Sequence, residues 1–366
     1  MWAIAVKEFR ELRRDRRTLA MLFLLPFLFL VVFGYAASFD VKDVPTIVVG
    51  GAAPLVAASL PAQLDVVQTD VAGDDGTARD ALRRGEAVVA IVSPARPGRA
   101  PQVLVDGTEI FAAQTALRSI AESQAGGTGD RAPQAPAASA PQVTVLFNPE
   151  LRTAVIMIPG LCGVILVFVG TIATALGVVR ERQAGTMEQL AVMPFHPRDV
   201  FLGKIAPYLL IAVVDMVVIV AAGILLFDVP FRGSVFTFAL GAALFLFVTL
   251  GIGVLISSVS QTQGQAIQLA IMTLLPQILL SGLFFPLYSM PWAVRWISYA
   301  LPLTYFIKIA RGVMVRGAPL SALWLPLLVL AVMGAVVFTL STLRFRRDLA
   351  PAGGDVEAST GAEAGA

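Results

Sequence analysis

The sequence has little of what disulfide frameworks and metal centres need. Its 366 residues include one cysteine, Cys162, and one histidine, His196. A single cysteine leaves no partner for an intramolecular disulfide, and a single histidine excludes a histidine-rich metal site. Charged residues are also scarce, at 14% of the chain, whereas a soluble domain has about 25%. These shortages exclude a disulfide scaffold and argue against a chain that is soluble throughout.

Motifs for nucleotide chemistry are missing as well. No stretch matches G-x-x-x-x-G-K-[ST], the loop whose backbone amides hold nucleotide phosphates. The pair Gly203-Lys204 lacks both the earlier glycine and a following serine or threonine. The basic residues border apolar runs without the interleaved aromatics of a nucleic-acid surface. We therefore expect no catalytic residue, no metal or cofactor bound by this chain, and no nucleic-acid partner.

Long apolar runs are what the sequence has in abundance. Hydrophobic residues make up 57% of it, and the mean hydropathy is +0.79. A helix that crosses a bilayer needs about 20 predominantly apolar residues. Six stretches qualify: 19–37, 154–178, 205–227, 235–257, 266–287 and 320–343. This predicts an α-helical integral membrane protein with six transmembrane helices. We interpret the first stretch as a retained anchor, because it is longer than a signal-peptide core and no small-x-small cleavage site follows directly.

Basic residues predict which side of the membrane each loop faces. They cluster in residues 7–17, 180–204 and 344–347, before the first span, between spans two and three, and after the last. Lysine and arginine concentrate in cytoplasmic loops. With an even number of spans these three segments share one side, so both termini are expected in the cytoplasm.

The two ends of the chain have patterns of their own. In residues 1–18, apolar side chains recur at helical spacing opposite a basic face, which is typical of a helix lying in the membrane interface. A cytoplasmic extension of the first span is the alternative. The tail, residues 348–366, is rich in glycine and alanine and is expected to be disordered.

Residues 38–150, between spans one and two, form an insert of a different character. Short apolar runs alternate in it with amphipathic segments. The runs TIVVG, LDVVQTD, AVVAIVSP and PQVLVDG read as strands, and TARDALRRGE and FAAQTALRSIAES as helices. Alternating strands and helices predict a small extracytoplasmic α/β domain. Residues 124–141 within it are rich in glycine, proline and alanine, so a flexible linker is expected there.

Residues 284–319 precede the last span and are too apolar and aromatic for a loop in water. Pro286, Pro291 and Pro302 divide this segment into half-helix pieces, because proline cannot continue a helix. Its aromatic residues, including Trp292 and Tyr305, suit a membrane interface. We therefore expect a re-entrant hairpin in the outer leaflet, with two further membrane crossings as the alternative. In the hairpin, the long basic side chains would reach back to the lipid headgroups; these are Arg295, Lys308, Arg311 and Arg316.

The segment 180–194 is an island of charge between spans two and three. After Arg180 and Glu181, Gly185 can take the left-handed conformation that ends a helix. Thr186 begins a capping box with Gln189, and Glu188 suits the positive end of the new helix dipole.

Pro194 then ends the segment, so a short helix over residues 187–193 is predicted. This helix would present apolar side chains such as Leu190 next to acidic ones. It would either enter the groove of a cytoplasmic partner or pack on its own helix bundle.

Asp215 is the one acidic residue deep inside a predicted span. An ionisable group at that depth usually faces the helix bundle or a water path. A packing hydrogen bond is the simpler interpretation. A proton relay is the alternative, but such relays normally need further acidic partners.

The charged island also carries a family resemblance. RERQAGTMEQLAVMPFHPRDVFLGK resembles the first cytoplasmic loop of permease subunits of type 2 class ABC exporters, whose pattern is R-E-x-x-x-G-T-x-E-x-L, then a proline and a G-K pair. The matching positions are Arg180, Glu181, Gly185, Thr186, Glu188, Leu190, Pro194, Gly203 and Lys204. The start of the chain and the segment LLSGLFFPLYSMPWAVRWISYALPLTYF are also similar to this family. The resemblance is to the subgroup with a large outer insert between spans one and two.

The resemblance implies a non-enzymatic transport subunit of a bacterial inner membrane. Residues 180–194 would form a coupling helix seated in a separate cytoplasmic ATPase subunit, which would bind the ATP and magnesium. A second permease copy or a paralogue would complete the transporter. The expected activity is export of a hydrophobic or amphiphilic substrate, drug-like or lipid-like. Two alternatives are a proton-coupled secondary transporter using Asp215 and a membrane-anchored ligand-binding protein.

Overall fold

A computed structural model describes residues 43–94, 100–125, 141–183 and 197–348 of the chain. Some of the predicted elements fall outside these ranges. They are the interfacial helix at 1–18, the first span at 19–37, the short helix at 187–193 and the tail beyond residue 348. The segment 126–140, most of the predicted linker, also lies outside them.

The described chain begins with a small α/β domain, which is called the outer domain below after the side of the membrane predicted for it. Its elements alternate as strand and helix except between β3 and β4. In order they are β1 (Val44–Val49), α1 (Ala53–Ala58), β2 (Leu64–Asp70), α2 (Asp75–Arg84), β3 (Val89–Val92), β4 (Gln102–Asp106), α3 (Ile110–Ala125) and β5 (Gln142–Leu146). The predicted α/β domain is thus confirmed.

The five strands form one mixed sheet in the order β2-β1-β3-β4-β5. β1 runs parallel to both β2 and β3, β3 runs antiparallel to β4, and β4 runs parallel to β5. Helices cover both faces of the sheet: α2 packs on one face, and α1 and α3 on the other.

The strand residues explain this three-layer arrangement. Val44 and Val48 point to the face covered by α1 and α3, whereas Ile47 and Val49 point to the face covered by α2. Successive strand residues face opposite sides. Because both sides are buried, the central strands β1, β3 and β4 are largely apolar without alternation, whereas the edge strands β2 and β5 expose polar residues.

Helix α2 owes its boundaries to local side chains. Asp74 accepts a hydrogen bond from the backbone N–H of Thr77 at 2.9 Å, and the Thr77 hydroxyl completes the capping box. At the other end Gly85 has a φ of 72°, in the left-handed region that favours glycine.

In the membrane part, residues 153–183 and 197–348 contain five long helices. They are α4 (Thr153–Gln183), α5 (Pro197–Phe227), α6 (Val235–Val259), α7 (Gln263–Leu280) and α10 (Leu320–Asp348). Four of them contain an apolar stretch long enough to cross a bilayer, namely α4, α5, α6 and α10. These four correspond to predicted spans two, three, four and six.

Six spans are not confirmed. The first lies outside the described residues. The fifth, predicted at 266–287, corresponds to α7, which has 18 residues and is not among the four apolar helices. Its glutamines lower its hydropathy, and it ends at Leu280, before Gly282 with a φ of 86°.

Short helices lie between α7 and α10. A 3-10 turn at Leu287–Ser289 precedes α8 (Trp292–Tyr299) and α9 (Pro302–Arg311), and a π-helical turn follows at Gly312–Arg316. Helices α8 and α9 have 8 and 10 residues. At 1.5 Å per residue they are about 12 and 15 Å long, whereas the hydrocarbon core of a bilayer is about 30 Å thick.

Aromatic stacking and a glycine hold the centre of the helix bundle. Phe245 of α6 stacks on Phe306 of α9 with ring centroids 4.4 Å apart. At Gly253 of α6, an added Cβ atom would lie 2.8 Å from the carbonyl oxygen of Thr171 in α4. Only glycine allows the two backbones to approach this closely.

The segments predicted to face outside cluster at one end of the bundle. Arg232, in the loop between α5 and α6, donates to the carbonyl of Val315 in the π-helical turn at 3.1 Å. The α/β domain meets the same turn through Asp106 and Arg316. A separate contact joins the end of α4 to the start of α7, where Gln183 accepts a hydrogen bond from Gln263.

Candidate functional site at the junction of the outer domain and the membrane helices

The predicted ATPase-coupling residues lie where α4 ends. Arg180 is exposed in the last turns of α4, and Glu181 follows it in the same helix. Gly185, Thr186, Glu188, Leu190 and Pro194 lie outside the described residues. The chain is described again from Pro197, the first residue of α5. The charged island therefore connects two long apolar helices.

Asp215 lies in the middle of α5 and is half-buried. Its neighbours Val214, Val217 and Val218 are exposed. Within the described parts of the chain, Asp215 has no hydrogen bond and no ion pair. No group of three or more potential metal-ligating side chains occurs there either.

The prolines of the segment 284–319 stand at helix boundaries. Pro291 is the residue before α8, and Pro302 is the first residue of α9. Pro286 is buried and directly precedes the 3-10 turn. The chain thus turns at each proline, as a helix-breaking residue without a backbone N–H requires.

The aromatic residues of this segment divide into two groups. Trp292, Trp296 and Tyr299 are exposed, and Trp292 is 82% exposed. Tyr305, in contrast, is buried, and its hydroxyl donates to the carbonyl of Tyr299 at 2.7 Å. The expectation that Tyr305 faces the interface is wrong, because its side chain packs in the core of the helix bundle.

Arg311 joins three separate parts of the molecule. Its side chain is 5% exposed. Nε donates to the carbonyl of Ile156 in α4, and the two terminal nitrogens donate to the carbonyls of Gly282 and Leu283 after α7, at 2.9 to 3.3 Å. A terminal nitrogen also lies 3.9 Å from a carboxylate oxygen of Glu109 in the outer domain. A planar guanidinium with five donors is suited to such a position.

Arg316 forms a second link, five residues further on. Its Nη1 lies 3.4 Å from Oδ2 of Asp106, a fully buried residue at the end of β4. The same guanidinium lies against Gly85, where an added Cβ atom would meet Nη1. Gly85 ends α2, so the cation also faces the negative end of that helix dipole.

The two carboxyl groups of the junction are shifted by their surroundings. Burial raises the pKa of Asp106 above its ordinary value, and the positive charge of Arg316 acts against this shift. Burial likewise raises the pKa of Glu109, opposed chiefly by Arg311. Removing either arginine would therefore leave a buried acid without its principal counter-charge.

The prediction that the basic side chains of residues 284–319 extend outward to the headgroups of the surrounding bilayer is wrong for Arg311 and Arg316. Both turn inward to acids of the outer domain. Arg295 donates to the carbonyls of Tyr288 and Met290, and of the four basic residues only Lys308 is exposed.

The acids of the junction, Asp106 and Glu109, did not stand out in the sequence. Each lies just beyond an apolar run, at the end of β4 and before α3. Acidic residues are common at strand ends and helix starts, where they form turns or cap helices. The one available signal was a pair of acids after a buried strand, in a chain whose segment 284–319 holds three arginines.

The chain is similar to known membrane transport proteins. The family model described as ABC-2 family transporter protein matches residues 16–343. The chain is 28% identical to the probable multidrug ABC transporter permease YbhS of Escherichia coli (strain K12) over 370 residues, covering 95% of this chain and 97% of YbhS. It is 35% identical over 208 residues to the inner membrane transport permease YhhJ of the same organism, covering 56% of this chain and 54% of YhhJ. This match thus spans about half the length of YhhJ.

A third relative has a related name. The probable multidrug ABC transporter permease YbhR of Escherichia coli (strain K12) is 32% identical over 201 residues, which is 55% of each chain. The expected family resemblance is confirmed by these matches and by the apolar helices. The family model matches far more than half of this chain. The chain therefore belongs to the ABC-2 transporter family and is a membrane permease of an ABC transporter.

Proposed function

We propose that the chain is the membrane-spanning subunit of an ATP-driven exporter, powered by a separate cytoplasmic ATPase. The observation that carries this proposal is the family match over residues 16–343, in a sequence that has no nucleotide-binding loop of its own. ATP and magnesium would bind to the partner subunit. A second permease, either another copy of this chain or a paralogue, would complete the transport path.

The segment 180–194 is proposed to receive the force from the ATPase. It joins the end of α4 to the start of α5, so a push on it would move both helices. Glu181 and Glu188 would make polar contacts with the ATPase, and Gly185 would provide the turn between them. Arg180, Thr186, Leu190 and Pro194 complete the motif.

Movement of α4 would reach the outer side of the membrane. Arg311 binds the carbonyl of Ile156 near the start of α4 and approaches Glu109 of the outer domain. A shift of α4 would therefore be passed to the outer domain by a rigid, buried contact. This gives the outer domain a mechanical role in the transport cycle.

The surfaces and the relatives support a proposal for the substrate class. The apolar helices present leucine, valine and phenylalanine outward, and YbhS and YbhR are named multidrug permeases. We propose a hydrophobic or amphiphilic substrate, drug-like or lipid-like, moved out of the cytoplasm or the inner leaflet. The membrane would be a bacterial inner membrane, with both termini in the cytoplasm.

The segment 284–319 is proposed to be a re-entrant hairpin in the outer leaflet. Helices α8 and α9 are too short to cross a bilayer, and the exposed tryptophans of α8 suit an interface. A Trp292→Cys variant tests the orientation, since the single native cysteine, Cys162, is buried. A membrane-impermeant maleimide added outside intact cells should label it. Labelling only after the cytoplasm is exposed would contradict the outer position.

Charge reversal in the coupling segment tests the proposed function. Glu188→Lys, co-expressed with the proposed ATPase subunit, should abolish ATPase co-purification and substrate export. Glu150→Lys is the matched control, because Glu150 is an exposed acid next to the outer domain and should change neither. Normal co-purification and export in Glu188→Lys would contradict the assignment.

The energy source separates this proposal from a proton-coupled transporter. Transport into inverted vesicles should require ATP and stop with vanadate. Asp215→Asn should leave the ATP dependence intact. Transport that is stopped by an uncoupler and lost in Asp215→Asn would instead favour proton coupling.

A further inference from the structure

A cavity lies beside the buried ion pairs of the junction. Its volume is about 430 Å³, and it is bounded in the outer domain by the end of α2, the residues after it and Glu109, and in the membrane part by residues 281–316 and the start of α10. Volumes of 300 to 1,000 Å³ are typical of ligand-binding pockets. Neither the coupling segment nor Asp215 contributes to its walls, although Arg311 and Glu109 of the junction do.

The walls of the cavity are strongly basic. Five basic and two acidic residues line it: Arg84, Arg295, Lys308, Arg311, Arg316, Glu86 and Glu109. The acids are already engaged, Glu86 with Arg84 at 3.7 Å and Glu109 with Arg311 at 3.9 Å. Among the described residues, Arg295 and Lys308 have no carboxylate partner. This excess of positive charge favours an anion.

Polar atoms without partners mark the same cavity. The hydroxyls of Ser281 and Tyr288 and Nε of Arg316 are buried and have no hydrogen-bond partner among the described residues. All three residues line the cavity, and Ser281 is 1% exposed. Each of the three atoms can donate a hydrogen bond. Buried donors are normally satisfied, and a group with several acceptor oxygens would satisfy them.

The remaining wall is apolar and leads to the outer surface of the bundle. Leu287, Ile307 and Leu323 line it, together with Leu325 and Pro326 of α10. Leu325 is half-exposed on this last spanning helix. A ligand with an anionic head would therefore find an apolar path for a hydrocarbon chain next to it.

We propose that this cavity binds the phosphate of an anionic phospholipid, with the acyl chains lying along α10. The phosphate would accept hydrogen bonds from Tyr288, Ser281 and Arg316, and the charge of Lys308 would add to its attraction. Such binding requires no ATPase and no transport, so it is independent of the proposed function. It would stabilise the contact between the outer domain and the membrane helices.

Lipid titration of the purified full chain tests this site. Native mass spectrometry should show phosphatidylglycerol retained in preference to phosphatidylcholine. Lys308→Gln and Tyr288→Phe should each weaken phosphatidylglycerol binding about tenfold, the effect of losing one hydrogen bond to a charged group. Lys308 is exposed and Tyr288→Phe removes only a hydroxyl, so both variants should fold, as their melting temperature without added lipid would show. Arg79→Gln, an exposed basic residue of α2 outside the cavity, should bind as the wild type does.

Each other outcome overturns the proposal. Equal retention of the two lipids would show an unselective lipid layer. Unchanged binding in both variants would place the lipid elsewhere. Inorganic phosphate that competes as well as a soluble short-chain phosphatidylglycerol would show that the apolar wall contributes nothing, and the ligand would then be a free phosphate.

Discussion

The outer domain and the membrane helices place their apolar side chains in opposite ways. Leu82 in the outer domain is fully buried between α2 and the sheet, whereas Leu225 of α5 is 79% exposed. Conversely, the helix bundle buries polar groups such as Thr174, Thr249 and Gln277. Water drives the first arrangement, since burying apolar area is favourable there. Lipid tails are themselves apolar, so apolar side chains on the outside of a helix bundle are not unfavourable in a membrane. Close packing and hydrogen bonds between buried polar groups hold the helices together instead.

The junction between the two parts follows neither rule. Buried Arg311 meets partly buried Glu109, and partly buried Arg316 meets fully buried Asp106. Both sides of the contact are thereby tied by ionic and backbone hydrogen bonds that would be costly to leave unpaired. The outer domain is therefore joined to the membrane helices by specific contacts, and not merely tethered by its chain.

Loss of Arg311 should have the largest effect on stability. Arg311→Met leaves the carbonyls of Ile156, Gly282 and Leu283 without this donor and Glu109 without its counter-charge. The free energy of unfolding should fall by about 3–5 kcal/mol, as measured by thermal unfolding in detergent. Arg152→Met is the control, because Arg152 is exposed and lies 3.9 Å from exposed Asp228; it should cost about 0–1 kcal/mol. Equal effects of the two would refute the special role of the junction.

Matched leucine-to-alanine substitutions should sharpen the contrast between the outer domain, which folds in water, and the helices, which face lipid. Leu82→Ala opens a cavity in the outer domain and should cost about 2–5 kcal/mol. Leu225→Ala removes an equal volume from an exposed face of α5 and should change stability by less than about 0.5 kcal/mol. Unfolding of both variants in the same lipid nanodiscs makes the comparison. A large loss in Leu225→Ala would show that this face of α5 is covered by another protein surface.

A glycine substitution probes the contact of Arg316 with α2. Gly85→Ala forces a Cβ atom into a left-handed residue and towards the guanidinium of Arg316. The left-handed backbone conformation alone should lower the free energy of unfolding of this variant by about 1–2 kcal/mol. Gly51→Ala is the control, since a Cβ atom added there has nothing within 4 Å and the residue's φ is not positive. The measurement is again the shift of the unfolding transition, and equal shifts would contradict the close contact.

The smallest expected effect concerns the cap of α2. The backbone N–H of Thr77 lowers the pKa of Asp74, so the carboxylate stabilises the fold above the ordinary aspartate pKa. This contribution is lost as the pH falls through the lowered pKa. Asp74→Ala should therefore slightly lower the melting temperature near pH 7, and the difference from the wild type should shrink below about pH 4. A constant difference across this range would refute the charged cap.

Local patterns predicted the regular elements well. Short apolar runs indicated β1 to β4, and amphipathic runs indicated α2 and α3. β5 was missed because it follows the Gly/Pro/Ala-rich stretch, and α1 because six residues show no periodicity. The prolines of residues 284–319 marked the helix boundaries, since proline acts locally. The fifth span was predicted too long because Gly282 stops α7 by a backbone conformation that hydropathy does not report.

The junction was beyond prediction from one sequence. Arg311 meets groups from Ile156, Gly282, Leu283 and Glu109, which are far apart along the chain. Periodicity and composition report neighbours along a helix or strand, not groups that converge from distant segments. For the same reason, the sequence suggests lipid headgroups as partners of Arg311, whereas its acidic partner, Glu109, lies in the outer domain.

The most direct test of the central claim is ATP hydrolysis by purified protein in proteoliposomes. The chain alone should hydrolyse no ATP, and vanadate-sensitive hydrolysis should appear only when the ATPase subunit is co-purified with it. Preparations of the Glu188→Lys variant should show no such hydrolysis, because this variant is expected not to retain the ATPase subunit. Hydrolysis by the chain alone would contradict the conclusion that it is a permease whose motion is driven by a partner.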